Sequence, residues 1–375
     1  MPYWRLSTFY LFFFASLGAL LPYWALYLDS LGFSSADIGE LMAFIMATKI
    51  IAPNVWGWIA DHTGRRMPIV RLASLCAMLA FGGVLFGSSY WWLALVMITF
   101  SFFWNASLPQ FEATTLNYLG DKSHEYSRIR VWGSIGFICA VAGLGPLLDR
   151  HGVELLPPLI LILLAGIWLA SIAVPERDAP PFGVGHERLG HVLGKPQVIA
   201  LLVVCFLMQA SHGPYYTFYS LYLQDHAYSR SAIGQLWALG VIAEVGVFLV
   251  MHRLLPRFGL RGMLLTALAL ATLRWILIGL FVENVGIMIG AQLLHAASFG
   301  IYHAVAIQLI HGYFVGRHQG RGQALYSSLS FGAGGAVGAL YSGYLWDSGG
   351  ATLTFGVAAG FSAIAFVITW YRIQA

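Results

Sequence analysis

Long apolar blocks separated by short polar turns run the whole length of this chain, and the pattern predicts helices of membrane-crossing size. A helix that crosses a bilayer takes about 20 mostly apolar residues. Twelve blocks meet that requirement, at approximately 7–28, 37–59, 67–88, 90–118, 129–149, 155–174, 197–223, 230–254, 262–281, 284–313, 321–347 and 351–372. The first starts at Ser7 and runs past the length of a signal-peptide core without a cleavage signal, so it reads as a span.

Composition sharpens the picture. The 375 residues are 59% hydrophobic, 15% aromatic and 10% charged, against roughly 45–50% apolar and 25% charged in soluble proteins. Mean hydropathy is +0.74, and the 42 glycines fit close helix packing in lipid. A water-exposed surface, cytosolic catalysis and nucleic-acid binding are excluded. Cys76, Cys139 and Cys205 each sit in an apolar run outside any CxxC or Cys/His cluster, so neither disulfides nor structural zinc are expected.

The positive-inside rule tests the count, because one helix too many would scramble the loop charges. With the N-terminus cytoplasmic, 16 of the 20 Lys and Arg fall on the inner side; Arg150 and Arg230 fall outside, and Lys49 and Arg274 fall within spans. The net charge of +4 is therefore topological. The stretch Pro175 to Pro196, rich in Pro, Gly and charge, divides the chain into 1–174, a cytoplasmic linker 175–196, and 197–375. The two halves repeat: LYLDSLGFSSADIGEL from Leu26 matches LYLQDHAYSRSAIGQL from Leu221 at an offset of 195, in register to Arg66 and Arg261. Parallel repeats of this kind mark transporters with a substrate site at the repeat interface.

Between the second and third blocks stands GWIADHTGRR, with Gly57, Asp61, Gly64, Arg65 and Arg66 in the spacing G-x-x-x-D-x-x-G-R-R. It resembles the signature loop of the major facilitator superfamily. The resemblance implies an all-α membrane protein, twelve transmembrane helices in two pseudo-symmetric six-helix bundles with both termini cytoplasmic, working by alternating access. Asp61 is expected to cap a helix start and pair with an arginine across the seam between the halves, latching one conformation, while Gly57 and Gly64 allow close approach and a tight turn. On the plainer reading Arg65 and Arg66 only anchor topology. The second half keeps PRFGLR, from Pro256 to Arg261, without the aspartate.

A charge at the bilayer centre costs roughly 2.5–3.5 kcal/mol, so each embedded one needs a partner, a wet cavity or a function. Lys49, Glu112, Arg130, Glu244 and Arg274 are the cases. Helical spacing puts Ser101, Asn105 and Glu112 on one face, read as lining the cavity. The patterns N-A-x-x-P-x-x-E-A and R-x-R-x-x-G-x-x-G that hold Glu112 and Arg130 resemble the lactose permease family. By that resemblance Glu112 and Arg130 bind substrate and Phe137 stacks on it; a structural salt bridge between the fourth and fifth spans is the alternative. Lys49 and Glu244 are repeat equivalents, expected to pair or to face one central volume.

His295 and His303 flank Tyr302, and Gln209, His212, Tyr216 and Tyr219 form a polar stripe. Histidine titrates near neutrality and relays protons, although a membrane histidine also serves as a plain interhelical hydrogen-bonding group. Ser298 stands where the lactose permease family has its coupling glutamate, while Arg274 aligns with that family's ninth-span arginine. Glu244 is then the candidate coupling carboxylate, with His295, His303 and Arg274 around it.

The embedded charges sum to +1, which a substrate carboxylate would neutralise. Trp24, Tyr216 and other aromatics near the expected cavity suit flat rings, or else helix packing and an interfacial belt. GVIAE and LHAASFGIYH resemble the bacterial 3-phenylpropionate permease branch, relatives of the lactose and nucleoside permeases. That resemblance implies a monomer of the bacterial inner membrane taking up a small aromatic acid with protons, with no cofactor or metal, the proton gradient as energy source and no nucleic-acid partner. Sugar or nucleoside symport and drug/proton antiport are the rivals. No HExxH helix argues for a membrane enzyme.

Overall fold

In lipid every backbone N–H and C=O must be satisfied within the segment, so an apolar run of this length is committed to helix. The computed structural model describes residues 2–177, 192–315 and 319–373, and those residues are helical apart from short connections. Most of the expected linker, with Arg188, and the loop Arg317 lie outside the described residues. Six helices come first: α1 (Tyr3–Ser30), α2 (Ser35–Thr63), α3 (Met67–Phe81), α4 (Tyr90–Leu119), α5 (Tyr126–His151) and α6 (Leu156–Ala173). They are followed by α7 (Pro196–Ser211), α8 (Gly213–Asp225), α9 (Arg230–Leu280), α10 (Val285–Leu293), α11 (Tyr302–Tyr313), α12 (Gln319–Ser327) and α13 (Gly335–Arg372).

Local chemistry sets the ends. Ser34 and Asp37 form a capping box at the start of α2, which Gly64 closes at φ 66°. Proline at the first turn opens α3, α6 and α7. Two stretches differ from the block boundaries read from sequence. Helix α9 runs 51 residues with its helical geometry interrupted only at Gly259, and α13 is interrupted at Gly350. Both glycines have positive φ, which ordinary residues avoid. Among the described residues, ten helical stretches are long and apolar enough to span a bilayer by length and composition.

The chain forms two compact units, Met1–Phe182 with Ser229–Ala238, and Gly183–Tyr228 with Leu239–Ala375. The first turns of α9, assigned by the repeat to the second half, thus group with the first unit. In the first unit α1 packs on α5 and α6, α2 on α4, and α3 on α4 and α6. Because lipid is as apolar as leucine, helices associate through close packing and not through the hydrophobic effect. Gly136 shows the consequence: a Cβ there would lie 2.1 Å from the Leu11 carbonyl oxygen, so only glycine lets α1 and α5 approach this closely. In the second unit α7 and α8 pack on α13, and Val198, Leu201, Cys205, Leu268, Val305 and Ile310 belong to one buried core.

Candidate functional site

The second unit holds a buried polar network built on Arg274 of α9, whose side chain is wholly enclosed. Its Nε donates to the Ala291 carbonyl at 3.0 Å. One terminal nitrogen donates to Ser298 Oγ at 3.1 Å and to His295 Nδ1 at 3.0 Å, and the other donates to Gln292 Oε1 at 3.3 Å. The guanidinium also lies over the Tyr215 ring, 4.1 Å from its centroid. Gln292 is held in turn by Tyr215, which donates to its Oε1 at 3.0 Å, and donates from Nε2 to Tyr219 at 2.6 Å.

This network selects a histidine tautomer. A guanidinium has donors only, so His295 Nδ1 must accept and the ring proton resides on Nε2. That nitrogen lies 3.6 Å from Glu244 Oε2. Arg274, His295 and Glu244 therefore form a directed line, cation to imidazole to carboxylate, with the ring proton on the carboxylate side. His303 continues the column by a different route. The His295, Phe299 and His303 rings stack nearly parallel, with centroids 5.4 and 5.8 Å apart, and His303 Nδ1 meets Tyr326 Oη at 2.9 Å. The stack straddles a π-helical segment, Ala296–Ile301, and a second, Ser328–Gly334, follows Tyr326. Such widened turns recur at functional sites.

Next to this column the chain turns at His212, between α7 and α8. Its Nδ1 donates to the Met208 carbonyl at 2.8 Å, leaving Nε2 as an acceptor. That atom and Gln209 Nε2 are buried without a hydrogen-bond partner among the described residues. Tyr216 stacks on the His212 ring at 5.6 Å.

In the first unit the two groups the motif had paired each take another contact. Glu112 accepts from Tyr126 Oη at 3.2 Å. Arg130 instead lies over the Phe14 ring at 3.8 Å, with Tyr10 at 5.8 Å. Among the described residues the ion pairs within 4 Å are Arg66–Asp61 and His295–Glu244; the salt-bridge alternative for Glu112 and Arg130 is not realised. Gly133 is part of the reason, since it leaves room in which the Arg130 guanidinium lies back along its own helix.

Asn105 and Ser101 are likewise committed to packing. Asn105 donates to Thr48 Oγ1 at 2.9 Å and Thr48 donates to Ser101 Oγ at 2.9 Å, a polar seam between α2 and α4. The expected cavity-lining face thus splits, with Asn105 and Ser101 on α2 and Glu112 on Tyr126. Lys49, one residue beyond Thr48, has its ammonium against Met46 Sδ at 3.6 Å. Its repeat equivalent Glu244 meets His295 within the second unit. Trp24 is fully buried, stacked on Tyr27 at 4.9 Å, with its indole nitrogen unpartnered. Phe137 is buried on α5, its backbone against Gly18.

In the signature loop Asp61 lies in the last turn of α2, not at a helix start, and the arginine it pairs with is Arg66 of the same loop, at 3.1 Å. Arg66 also donates to Gln110 Oε1 at 2.7 Å. Gly57 faces that Gln110 side chain, Gly64 makes the left-handed turn, and Arg65 is exposed. The cap expected of Asp61 is supplied by Glu176, whose carboxylate accepts from the Met67 amide at 3.0 Å and the Arg66 amide at 3.4 Å at the start of α3. Gln292, Tyr215, Tyr326, Tyr126, Gln110 and Glu176 were not singled out from sequence. Only Gln292, one turn before His295, carried a local signal.

Three comparisons bear on this arrangement. The chain is 29% identical over 361 residues to a protein of Escherichia coli (strain K12) described as "Probable 3-phenylpropionic acid transporter", covering 91% of this chain and 90% of that one. It is 26% identical over 356 residues to the maltose permease of Geobacillus stearothermophilus, covering 93% and 90%. A crystal structure of a mutant form of the nucleoside transporter NupG superposes with a TM-score of 0.88 at 15% identity over 99% of this chain and 100% of that one, a likeness of fold. A sequence profile described as "MFS_1 like family" matches residues 3–357; the chain belongs to that family and is a multi-pass membrane transporter, not an enzyme.

Proposed function

We propose that the chain is a proton-coupled symporter that takes up a small aromatic carboxylate, of the phenylpropionate kind, across a bacterial inner membrane by alternating access. The observation that carries this reading is the line from Arg274 through His295 to Glu244: a partly buried carboxylate that faces the one protonated nitrogen of a neutral imidazole can gain and lose a proton with little rearrangement. The 29% identical relative described as a phenylpropionic acid transporter supports the cargo. So do Lys49 and Arg130, two embedded cations without a carboxylate within 4 Å among the described residues, and the unspent donor and acceptor at Gln209 and His212.

The span count belongs to the same proposal. At 1.5 Å per residue, the 51 residues of α9 would extend about 77 Å, more than twice the roughly 30 Å hydrocarbon core. Counting α9 and α13 as two spans each, divided at Gly259 and Gly350, turns ten stretches into twelve and leaves both termini cytoplasmic. The maltose permease relative favours a second reading, sugar symport. Proteoliposomes under an imposed inward proton gradient decide between them. Accumulation of labelled 3-phenylpropionate, unaffected by maltose, is the expected result; accumulation of maltose alone, or gradient-independent equilibration, overturns the first reading.

A further inference from the structure

The two units neutralise their arginine-rich loops differently, and among the described residues the second places no carboxylate against Arg253 or Arg257. In the first unit Arg66 meets Asp61, and the Glu176 carboxylate sits at the adjoining helix start. The repeat equivalent of Asp61 is Pro256, and Arg261, the equivalent of Arg66, instead donates to the Trp370 carbonyl at 2.7 Å and lies 5.3 Å from its ring. That bond joins the Gly259 break of α9 to the end of α13, so Arg253, Arg257, Arg261 and Arg372 share one end of the unit. Arg253 and Arg257 are one helical turn apart, exposed, with no carboxylate contact among the described residues.

The described carboxylates of this unit are elsewhere. Tyr228 donates to the Val282 carbonyl at 2.8 Å and Thr352 to the Gly279 carbonyl at 3.1 Å. These bonds gather the ends of α8 and α9 and the Gly350 break, and with them Asp225, Glu283 and Asp347, at the opposite end; Glu244 is spent on His295. Large apolar and aromatic side chains flank the arginines and are open to the surroundings: Phe258 is 56% exposed, Trp370 53% and Tyr371 72%. A cationic pair bordered by open aromatic rings, at the end of a helix long enough to span the bilayer, matches a phosphate held at the level of lipid headgroups with acyl chains alongside.

We propose that Arg253 and Arg257, flanked by Phe258, Trp370 and Tyr371, form a binding site for the headgroup of an anionic phospholipid on the second unit. Each arginine near a phosphate surface contributes about 1 kcal/mol, or roughly fivefold in affinity, so losing both costs about 30-fold. The full chain, purified in detergent, is titrated with phosphatidylglycerol, cardiolipin or phosphatidylcholine, and lipid retention is read by native mass spectrometry. Phosphatidylglycerol and cardiolipin are expected to bind in preference to phosphatidylcholine, and the double variant R253Q/R257Q to lose that preference about 30-fold while keeping its helical circular dichroism. Both side chains are exposed and make no hydrogen bond or ion pair among the described residues, Arg257 lying over the neighbouring Phe258 ring at 5.4 Å, so the variant is expected to fold; the double variant R65Q/R128Q, at two exposed arginines of the first unit, serves as the matched charge control and is expected to keep the preference. Equal retention of charged and zwitterionic lipid, an unchanged preference in the double variant, an equal loss in the control, or displacement by glycerol 3-phosphate at the lipid's own concentration each overturn the proposal.

Discussion

Embedded charge is handled in opposite ways by the two units. In the second, Arg274 has four of its donor contacts filled and passes a fixed polarity through His295 to Glu244. In the first, Arg130 rests on the Phe14 ring and Lys49 on a thioether, and Glu112 has a tyrosine for company. A saturated network is suited to moving a proton over a short, defined path, because nothing in it must find a new partner. Cations that rest on a ring or a sulfur, with no carboxylate in ion-pair contact, retain attraction for an anion that arrives later. Under the function proposed above, the contrast would assign proton coupling to the second unit and give the first unit cations that attract the cargo's carboxylate.

The strongest way to break that contrast is Glu244→Gln, which keeps the shape and removes the exchangeable proton. Gradient-driven accumulation is expected to vanish while downhill exchange of cargo persists; accumulation in the variant would place the proton elsewhere. Next comes Arg274→Leu, which strands His295, Ser298, Gln292 and the Ala291 carbonyl. Polar bonds between membrane helices contribute about 0.6 kcal/mol each on average and charged ones more, so a loss of about 2–4 kcal/mol is expected, seen as a clear fall in melting temperature. The first unit should respond in affinity instead. Arg130→Ala and Glu112→Ala are each expected to weaken cargo binding about tenfold or more, near 1.4 kcal/mol, in equilibrium binding with purified protein; unchanged binding in both would return the pair to structure. The smallest effect is expected at the α3 cap, where Glu176→Gln keeps an acceptor but loses the charge at a helix N-terminus, about 0.3–1 kcal/mol by thermal unfolding, with cargo affinity unaltered.

The same contrast marks what a motif can and cannot convey. The lactose-permease-like spacing pointed to Glu112 and Arg130 as neighbours on two helices, but spacing along two helices cannot tell an ion pair from two neighbours with separate partners. Tyr126 and Phe14, which take those roles, carry no signal of their own in an aromatic-rich chain. Likewise Ser101 and Asn105 share a helical face with Glu112, yet that face is long enough to meet Thr48 at one level and Tyr126 at another. Asp61 was legible as a charged member of the loop and misread as a cap, because the residue that caps α3, Glu176, is 110 residues away from Arg66.

What the sequence determined by itself was helix and membrane. Apolar runs of spanning length have no other way to satisfy their backbones in lipid, and the charge bias and the 195-residue repeat follow from counting. Embedded ionisable residues announce themselves for the same reason: lipid makes each one costly wherever it falls. Only the tertiary structure decided their partners, since hydrogen-bond and ion-pair energies depend on distances of a few ångströms between residues far apart in the chain. The proton on His295 is the clearest case. No local feature of LHAASFG selects a tautomer; an arginine from another helix, 21 residues away and with donors only, does.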